Sequence, residues 1–456
     1  MSKHRFIKNI IILGISGIIA KLFDFCFRAY YSHMLGTEGM GLLSLGFSLH
    51  SVMLTFSTAG LGVAVSKTVS EYMELKKPNA VKCCMHDAIY GVVVLSISVI
   101  IITFIFSPYL ANNILGDSRV STSLCTLAPS VIFMGISYCL KGCFYAQRKI
   151  LPPASSEILE QIVKFISIRT LLNFFLPYGI EYGCAAVFAG ISIGEFSSCA
   201  YLSIFYLREE KNAYGFSSSD DICPENKDII CRLLGVSLPS MITSLCSSGF
   251  RMQEEVLIVS AFERGGLSHS SAIQSLGIIH GMAMPLLVLP LNLAGSVMSL
   301  LVPEFSRAGT HGKQRLRHTA IKVYKAGIGI GCLISIIFLL FGDKLSCIFY
   351  GTDAASRVVV YLAPLCPIMF MDSLSCSILN GMGKQVRMLV FSILDFALRF
   401  SVIYFILPDG KMTAFILMVA LSNIFTCSLT LGSVVSAIYS SPLSKLTKIK
   451  KCGILK

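Results

Sequence analysis

The sequence predicts an all-α polytopic membrane protein, with about twelve transmembrane helices in two six-helix parallel repeats around a central cavity. Three observations carry that expectation. Charged residues are 14% and hydrophobic residues 54% of the 456 residues, whereas a soluble domain carries roughly 25% charged residues. The mean hydropathy is +0.73, and the apolar residues come in long runs such as 7–19 and 89–106. Lys and Arg concentrate in alternate loops, as they do when basic loops stay on the cytoplasmic side. This composition excludes a soluble enzyme, a disordered chain, a collagen-like chain and a disulfide scaffold.

The spans are expected at 6–31, 42–70, 83–106, 121–146, 154–176, 183–206, 229–261, 271–301, 319–341, 356–380, 386–407 and 412–438. Each is close to the ~20 residues that a bilayer requires, or longer. The first residues are basic like a signal-peptide start, but no small-residue cleavage site follows, so span 1 is read as uncleaved. With the N-terminus inside, and with span ends counted with the loops they adjoin, 26 Lys and Arg fall in cytoplasmic segments, 5 in outer segments and 7 deeper inside spans. That asymmetry places both termini in the cytoplasm of a multi-pass cell-membrane protein. The organisation expected is an N-terminal half at 1–207, a cytoplasmic linker at 208–228, a C-terminal half at 229–440 and a basic tail at 441–456. No connection is long enough to hold a soluble catalytic domain, so the chain is not read as an enzyme.

The net charge of +13 is accounted for by basic cytoplasmic loops and does not call for nucleic acid. Most of the 17 cysteines sit in apolar segments, for example Cys26, Cys199 and Cys246, where a thiol behaves as a small hydrophobe. None has zinc-like spacing, and neither metal nor cofactor is expected. Trp is absent, so Tyr30, Tyr31, Tyr109, Tyr206 and Tyr439 near span ends supply the aromatic belt.

The two halves echo each other. Leu127-Ala128-Pro129 in span 4 recurs as Leu362-Ala363-Pro364 in span 10, an offset of 235. At the same offset Lys149 falls on Lys384, Glu160 on Asp395, Lys164 on Arg399 and Phe165 on Phe400. Six spans per half make the repeats parallel, and transporters built so bind substrate between the halves and rock them for alternating access. Prolines 129, 285, 290, 364 and 367 interrupt spans, with Pro285 and Pro290 a flexing point in span 8.

The seven intramembrane cations are Lys21, Arg28, Lys141, Lys164, Arg169, Arg251 and Arg399. Each costs about 2.5–3.5 kcal/mol at the bilayer centre even on the lenient scale, so such residues face the bundle interior or a wet cavity. Lys21 and Arg28 are two turns apart on one face of span 1, and Arg251 holds the matching place in span 7. These three are read as lining an anion-binding cavity, which Arg suits by bidentate contact with phosphate. The competing reading is structural pairing with the acids nearby: Asp24 on span 1, Glu254 and Glu255 on span 7. Glu160–Lys164 and Asp395–Arg399 are i,i+4 pairs, read as structural pairs with gating as the alternative. Asp372 in span 10 is a candidate coupling-ion site.

Several stretches resemble the stage V sporulation protein B family. They are 20–28 (AKLFDFCFR), 35–42 (LGTEGMGL), 57–67 (STAGLGVAVSK) with Ser70-Glu71, 155–164 (SSEILEQIVK), Leu289-Pro290, and 301–306 (LVPEFS). That family is similar to the lipid II flippases of the multidrug/oligosaccharidyl-lipid/polysaccharide exporter superfamily. The resemblance implies flipping of an undecaprenyl-pyrophosphate-linked saccharide, such as lipid II for spore cortex peptidoglycan, from inner to outer leaflet. It makes Lys21, Arg28 and Arg251 the substrate contacts, with the lipid-linked saccharide, the bilayer and cell-wall synthesis proteins as partners. Lys21 stands where the family usually has Arg, Asp24 where it has a small residue, and relatives commonly show fourteen spans. A multidrug or organic-cation antiporter, a flippase for another polysaccharide precursor and a membrane glycosyltransferase are the competing functions. The antiporter requires an acid-dominated cavity and the glycosyltransferase a catalytic loop.

Overall fold

A computed structural model describes residues 3–58, 60–75, 77–214, 226–298, 313–381 and 384–440. All twelve expected spans are helical within it, and no strand occurs among the described residues. The centre of the linker, the basic loop after span 8, the 301–306 motif and the tail at 441–456 lie outside the described residues. Among the described residues nine helices are long and apolar enough to cross a membrane, or ten if Ile229–Gly235 and Ser240–Arg264, bent by 44°, are one span. Two features separate ten from twelve. Gly14–Glu74 counts once but holds spans 1 and 2. Span 5, Leu151–Phe175, is 25 residues long, yet Glu157, Glu160, Lys164 and Arg169 make it too charged to qualify by hydropathy.

The chain reverses at Gly36 inside the helix Lys3–Thr58, where φ is +65°. Only glycine takes that conformation without a Cβ penalty. Arg28 and Phe47 show the reversal: nineteen residues of straight helix would span about 28 Å, yet the guanidinium lies 5.8 Å from the ring centroid. Span 2 continues through Leu61–Glu74. The repeated Leu-Ala-Pro motif breaks both its helices. Span 4 divides into Val120–Leu127 and Ser130–Ala146, and span 10 passes through a tight turn at Ala363–Leu365. Span 8 carries a wide π turn at Gly277–Ala283 before Met284–Met298, which contains Pro290. The helix of span 6 runs on to Tyr214, with Arg208 and Lys211 in its last turns, and the helix of span 7 begins at Asn226.

One apolar core runs from Phe25 and Leu45 through Phe188 to Phe262, Ile273, Leu287 and Phe415. A second, with Leu61, Tyr72, Met85, Phe144 and Leu202, fills the other end of spans 2, 3, 4 and 6. Spans 2 and 8 cross at backbone contact. A Cβ on Gly41 would strike the Ile273 carbonyl, and one on Gly277 would strike the Thr37 carbonyl.

Beside that crossing, a charge cluster ties three turns together. Arg119 donates to Asp117 Oδ2 at 2.7 Å and to Glu38 Oε1 at 2.7 Å. Ser270 donates to Glu38 Oε1 at 2.9 Å. His269 faces Asp117 through Nε2 at 3.1 Å and Glu263 through Nδ1. Both ring nitrogens thus meet carboxylates, which suits the doubly protonated ring. Burial alone would raise the pKa of Asp117; hydrogen bonds and charge from Arg119, with His269, outweigh it and hold the carboxyl below its usual range.

Arg119→Ala strips Asp117, 4% exposed, of its main partner, and is expected to cost about 1–3 kcal/mol. A melting temperature unchanged from wild type at pH 7 refutes the tie. The sign with pH follows from the lowered pKa. The Asp117 contribution is complete above the ordinary value of about 4 and is lost as pH falls through the folded one. Asp117→Asn should therefore lower the neutral plateau of a melting-temperature profile and flatten its acid limb.

Candidate functional site: a cationic cavity between spans 1, 2, 7 and 8

Lys21, Arg28 and Arg251 line one cavity of about 360 Å³. Helical periodicity brings them there. Span 1 offers Lys21, Asp24, Phe25 and Arg28, at i, i+3, i+4 and i+7. Span 2 offers Ser44, Phe47, Ser48 and Ser51 on the same spacing, and span 7 offers Arg251 and Glu255. Span 8 closes the space with His280, Pro285, Leu289 and Asn292.

The Asp24–Arg28 pair of the competing reading does not form: among the described residues neither Lys21, Arg28 nor Arg251 has a carboxylate within ion-pair distance. Arg28 instead lies over the Phe47 ring, a cation–π contact. Glu255 stands 3.7 Å from His280. Glu255 Oε2 and His280 Nε2 have no hydrogen-bond partner.

The two neighbouring acids of span 7 part company. Glu254 turns into a second cavity of about 350 Å³ lined by spans 7, 10, 11 and 12. There Arg399 bonds Glu254 at 2.9 Å and Asp395 at 2.9 Å, and Ser422 joins Asp395. Asp372 lines the same cavity and accepts from Thr430 at 2.8 Å. Arg251 lies on the wall of both cavities.

The matching pair in span 5 closes at 3.0 Å between Lys164 and Glu160. It borders a third cavity of about 390 Å³, with Lys21, Lys141, Glu157, Gln161 and Glu195. Lys141 pairs with Glu157 at 3.2 Å. Arg169 departs from expectation. It is exposed on span 5, six residues or ~9 Å from the helix end at Phe175, within reach of the interface for a side chain that snorkels.

Sequence reasoning missed Glu157, Glu195 and His280. Glu195 and His280 are single polar residues in apolar runs, which was the available signal. Glu157 carried none, because its partner Lys141 lies on another helix.

The two i,i+4 pairs yield a prediction. Lys164→Ala leaves Glu160 buried beside Glu195, and removing one partner of a buried pair costs about 3–5 kcal/mol. Folded yield should drop strongly and recover in part when Glu160→Gln is added. Equal yields for the single and double variants, measured by fluorescence-detected size exclusion, would contradict this.

The family of polysaccharide biosynthesis proteins matches residues 6–309, and the MatE family matches residues 256–405. Stage V sporulation protein B of Bacillus subtilis (strain 168) is 25% identical over 407 residues, covering 89% of this chain and 78% of that protein. The lipid II flippase MurJ of the same organism is 20% identical over 439 residues, covering 90% and 79%. An inward-facing MATE multidrug transporter of the MOP superfamily superposes with a TM-score of 0.68 at 13% identity, covering 92% and 96%. A MOP superfamily transporter from Pyrococcus furiosus, described by the reverse polarity of its binding pocket, gives 0.66 at 14% identity, covering 95% and 97%. At such identities the structural likeness establishes the fold. The chain belongs to the polysaccharide biosynthesis protein family, and its fold is that of the MOP superfamily transporters.

Proposed function

We propose that this MOP superfamily protein is a flippase carrying an undecaprenyl-pyrophosphate-linked saccharide, such as lipid II for spore cortex peptidoglycan, from the inner to the outer leaflet. The observation that supports it is the convergence of Lys21, Arg28 and Arg251 on one cavity, with no ion-pair partner among the described residues. Unpaired cations inside a membrane protein mark a substrate site, and a pyrophosphate is the part of such a lipid that needs them. Arg28 and Arg251 offer planar forks to phosphate oxygens, and Lys21 a point charge. Stage V sporulation protein B and MurJ are relatives of the kind this reading requires.

A multidrug or organic-cation antiporter fits less well. In the second cavity Arg399 holds both Glu254 and Asp395 in ion pairs, so neither is free to take up a cation without breaking one. In the cationic cavity the positive groups outnumber the carboxylates.

The two six-span halves, 1–207 and 229–440, would then close alternately around the cavity, with both termini in the cytoplasm. Protease accessibility of a C-terminal epitope in right-side-out and inverted vesicles tests that orientation. Cleavage in right-side-out vesicles overturns it.

The binding test uses purified Arg28→Ala and Arg251→Ala at matched expression. A charge-assisted contact contributes about 1.5–3 kcal/mol, so each variant should bind lipid II roughly ten- to a hundredfold more weakly. Arg28→Lys should restore only part, because the ammonium lacks the fork. Wild-type binding and flipping by both alanine variants would discard the anionic-substrate reading.

A further inference from the structure

We infer that the chamber lined by spans 2, 4, 5 and 7 is a saccharide subsite, with Tyr138 and Tyr145 as its stacking platform. This rests on the pyrophosphate reading of the central cavity and says where the sugar attached to that pyrophosphate lies. The chamber has a volume of about 1010 Å³, at the upper end of the about 300–1,000 Å³ usual for ligand pockets.

Shared side chains link the chamber to the cation site. Lys21 lines both the central cavity and the cavity inside spans 1, 4, 5 and 6. Tyr138, Lys141 and Glu157 line both that cavity and the chamber. Between them Gln161, itself buried, presents an Oε1 with no hydrogen-bond partner. A head group held by phosphate at Lys21 thus lies one set of shared side chains away from the chamber.

The lining matches carbohydrate. A pyranose has an apolar C–H face and a rim of hydroxyls that both donate and accept. Tyr138 and Tyr145 are seven residues apart, hence on one face of span 4, and they are 45% and 37% exposed. Their rings offer an apolar surface with a polar edge. Between them Lys141 holds Glu157 at 3.2 Å, which sets a donor and an acceptor side by side. The Lys141 ammonium has further protons and Glu157 a second oxygen for ligand hydroxyls. Thr55, Thr58, Ser240 and Ser244 face the same space. Three acids, Glu71, Glu74 and Glu157, stand against two cations, Lys67 and Lys141, which does not favour an anion in this space.

The test measures binding of undecaprenyl pyrophosphate and of undecaprenyl-pyrophosphoryl N-acetylglucosamine, which has the sugar and no peptide. The proteins are wild type, the double variant Tyr138→Ala with Tyr145→Ala, and the double Phe variant. Wild type should bind the sugar-bearing lipid more tightly. The Ala variant should lose about tenfold of that preference while binding the bare lipid as wild type does, which also shows that it is folded. The Phe variant should keep most of the preference, because the rings remain. If wild type binds both lipids equally, or the Ala variant keeps the full preference, the chamber is not a sugar site. If Arg28→Ala binds the bare lipid as wild type does, the pyrophosphate reading fails instead. Tighter binding of lipid II with no preference between the two test lipids would assign the chamber to peptide and overturn the proposal.

Discussion

Few charges can stand inside a bilayer without a partner or a wet surface, and the arrangement of the spans follows from that limit. Three solutions appear side by side. Lys164 and Arg399 are neutralised by a carboxylate one turn away on their own helix, at 3.0 and 2.9 Å. Lys141 finds its carboxylate on the next helix. Arg169 sits close enough to a helix end to escape. Lys21, Arg28 and Arg251 take none of these routes and open into cavities. A self-neutralised pair is indifferent to an anion passing by, whereas an unpaired cation in a cavity is stabilised by one. The difference separates self-neutralised charge from charge that an arriving anion could stabilise.

The backbone breaks serve the same limit. Irregular backbone at membrane depth is tolerated where it is buried in protein or lines a cavity. The π turn at Gly277–Ala283 contains His280, which lines the cationic cavity. The same turn begins at Gly277, whose missing Cβ lets span 8 touch the Thr37 carbonyl of span 2. Close packing at one end and a widened helix facing a cavity further along are thus consecutive features of one segment. The cluster of Glu38, Asp117, Arg119 and His269 lies beside the tight crossing. Breaking both would be required before spans 2 and 8 could separate at that end.

What the sequence made legible was what is local along the chain. The i,i+4 pairs at an offset of 235, the shared face of Lys21 and Arg28, and the Leu-Ala-Pro breaks all follow from helical periodicity within one segment. The cluster around Arg119 was not legible, because its contacts join residues 81, 152 and 232 apart. Nothing short of tertiary structure pairs such distant residues. Glu254 and Glu255 show the limit from the other side. They are adjacent in sequence and were read together, but a helix turns about 100° per residue, so they face different cavities. Asp24 and Arg28 have ideal pairing distance along the helix and still do not pair. The Arg28 guanidinium is drawn over Phe47 of span 2 instead, a competitor invisible from span 1.

The balance of charge in the central cavity bears on turnover as well as on binding. Its wall holds three cations, Lys21, Arg28 and Arg251, and two carboxylates, Asp24 and Glu255. Three cations alone would repel one another in the empty state and hold a dianion too firmly to release. Two carboxylates held at a distance reduce that repulsion without forming contacts an arriving anion would have to break. A carrier must bind well enough to load and loosely enough to unload, the same compromise that conduction imposes on a channel site. Glu255, 3.7 Å from His280, lies on the same wall as the cations. If the cavity takes an anion, as proposed, the acids beside the cations belong to that site.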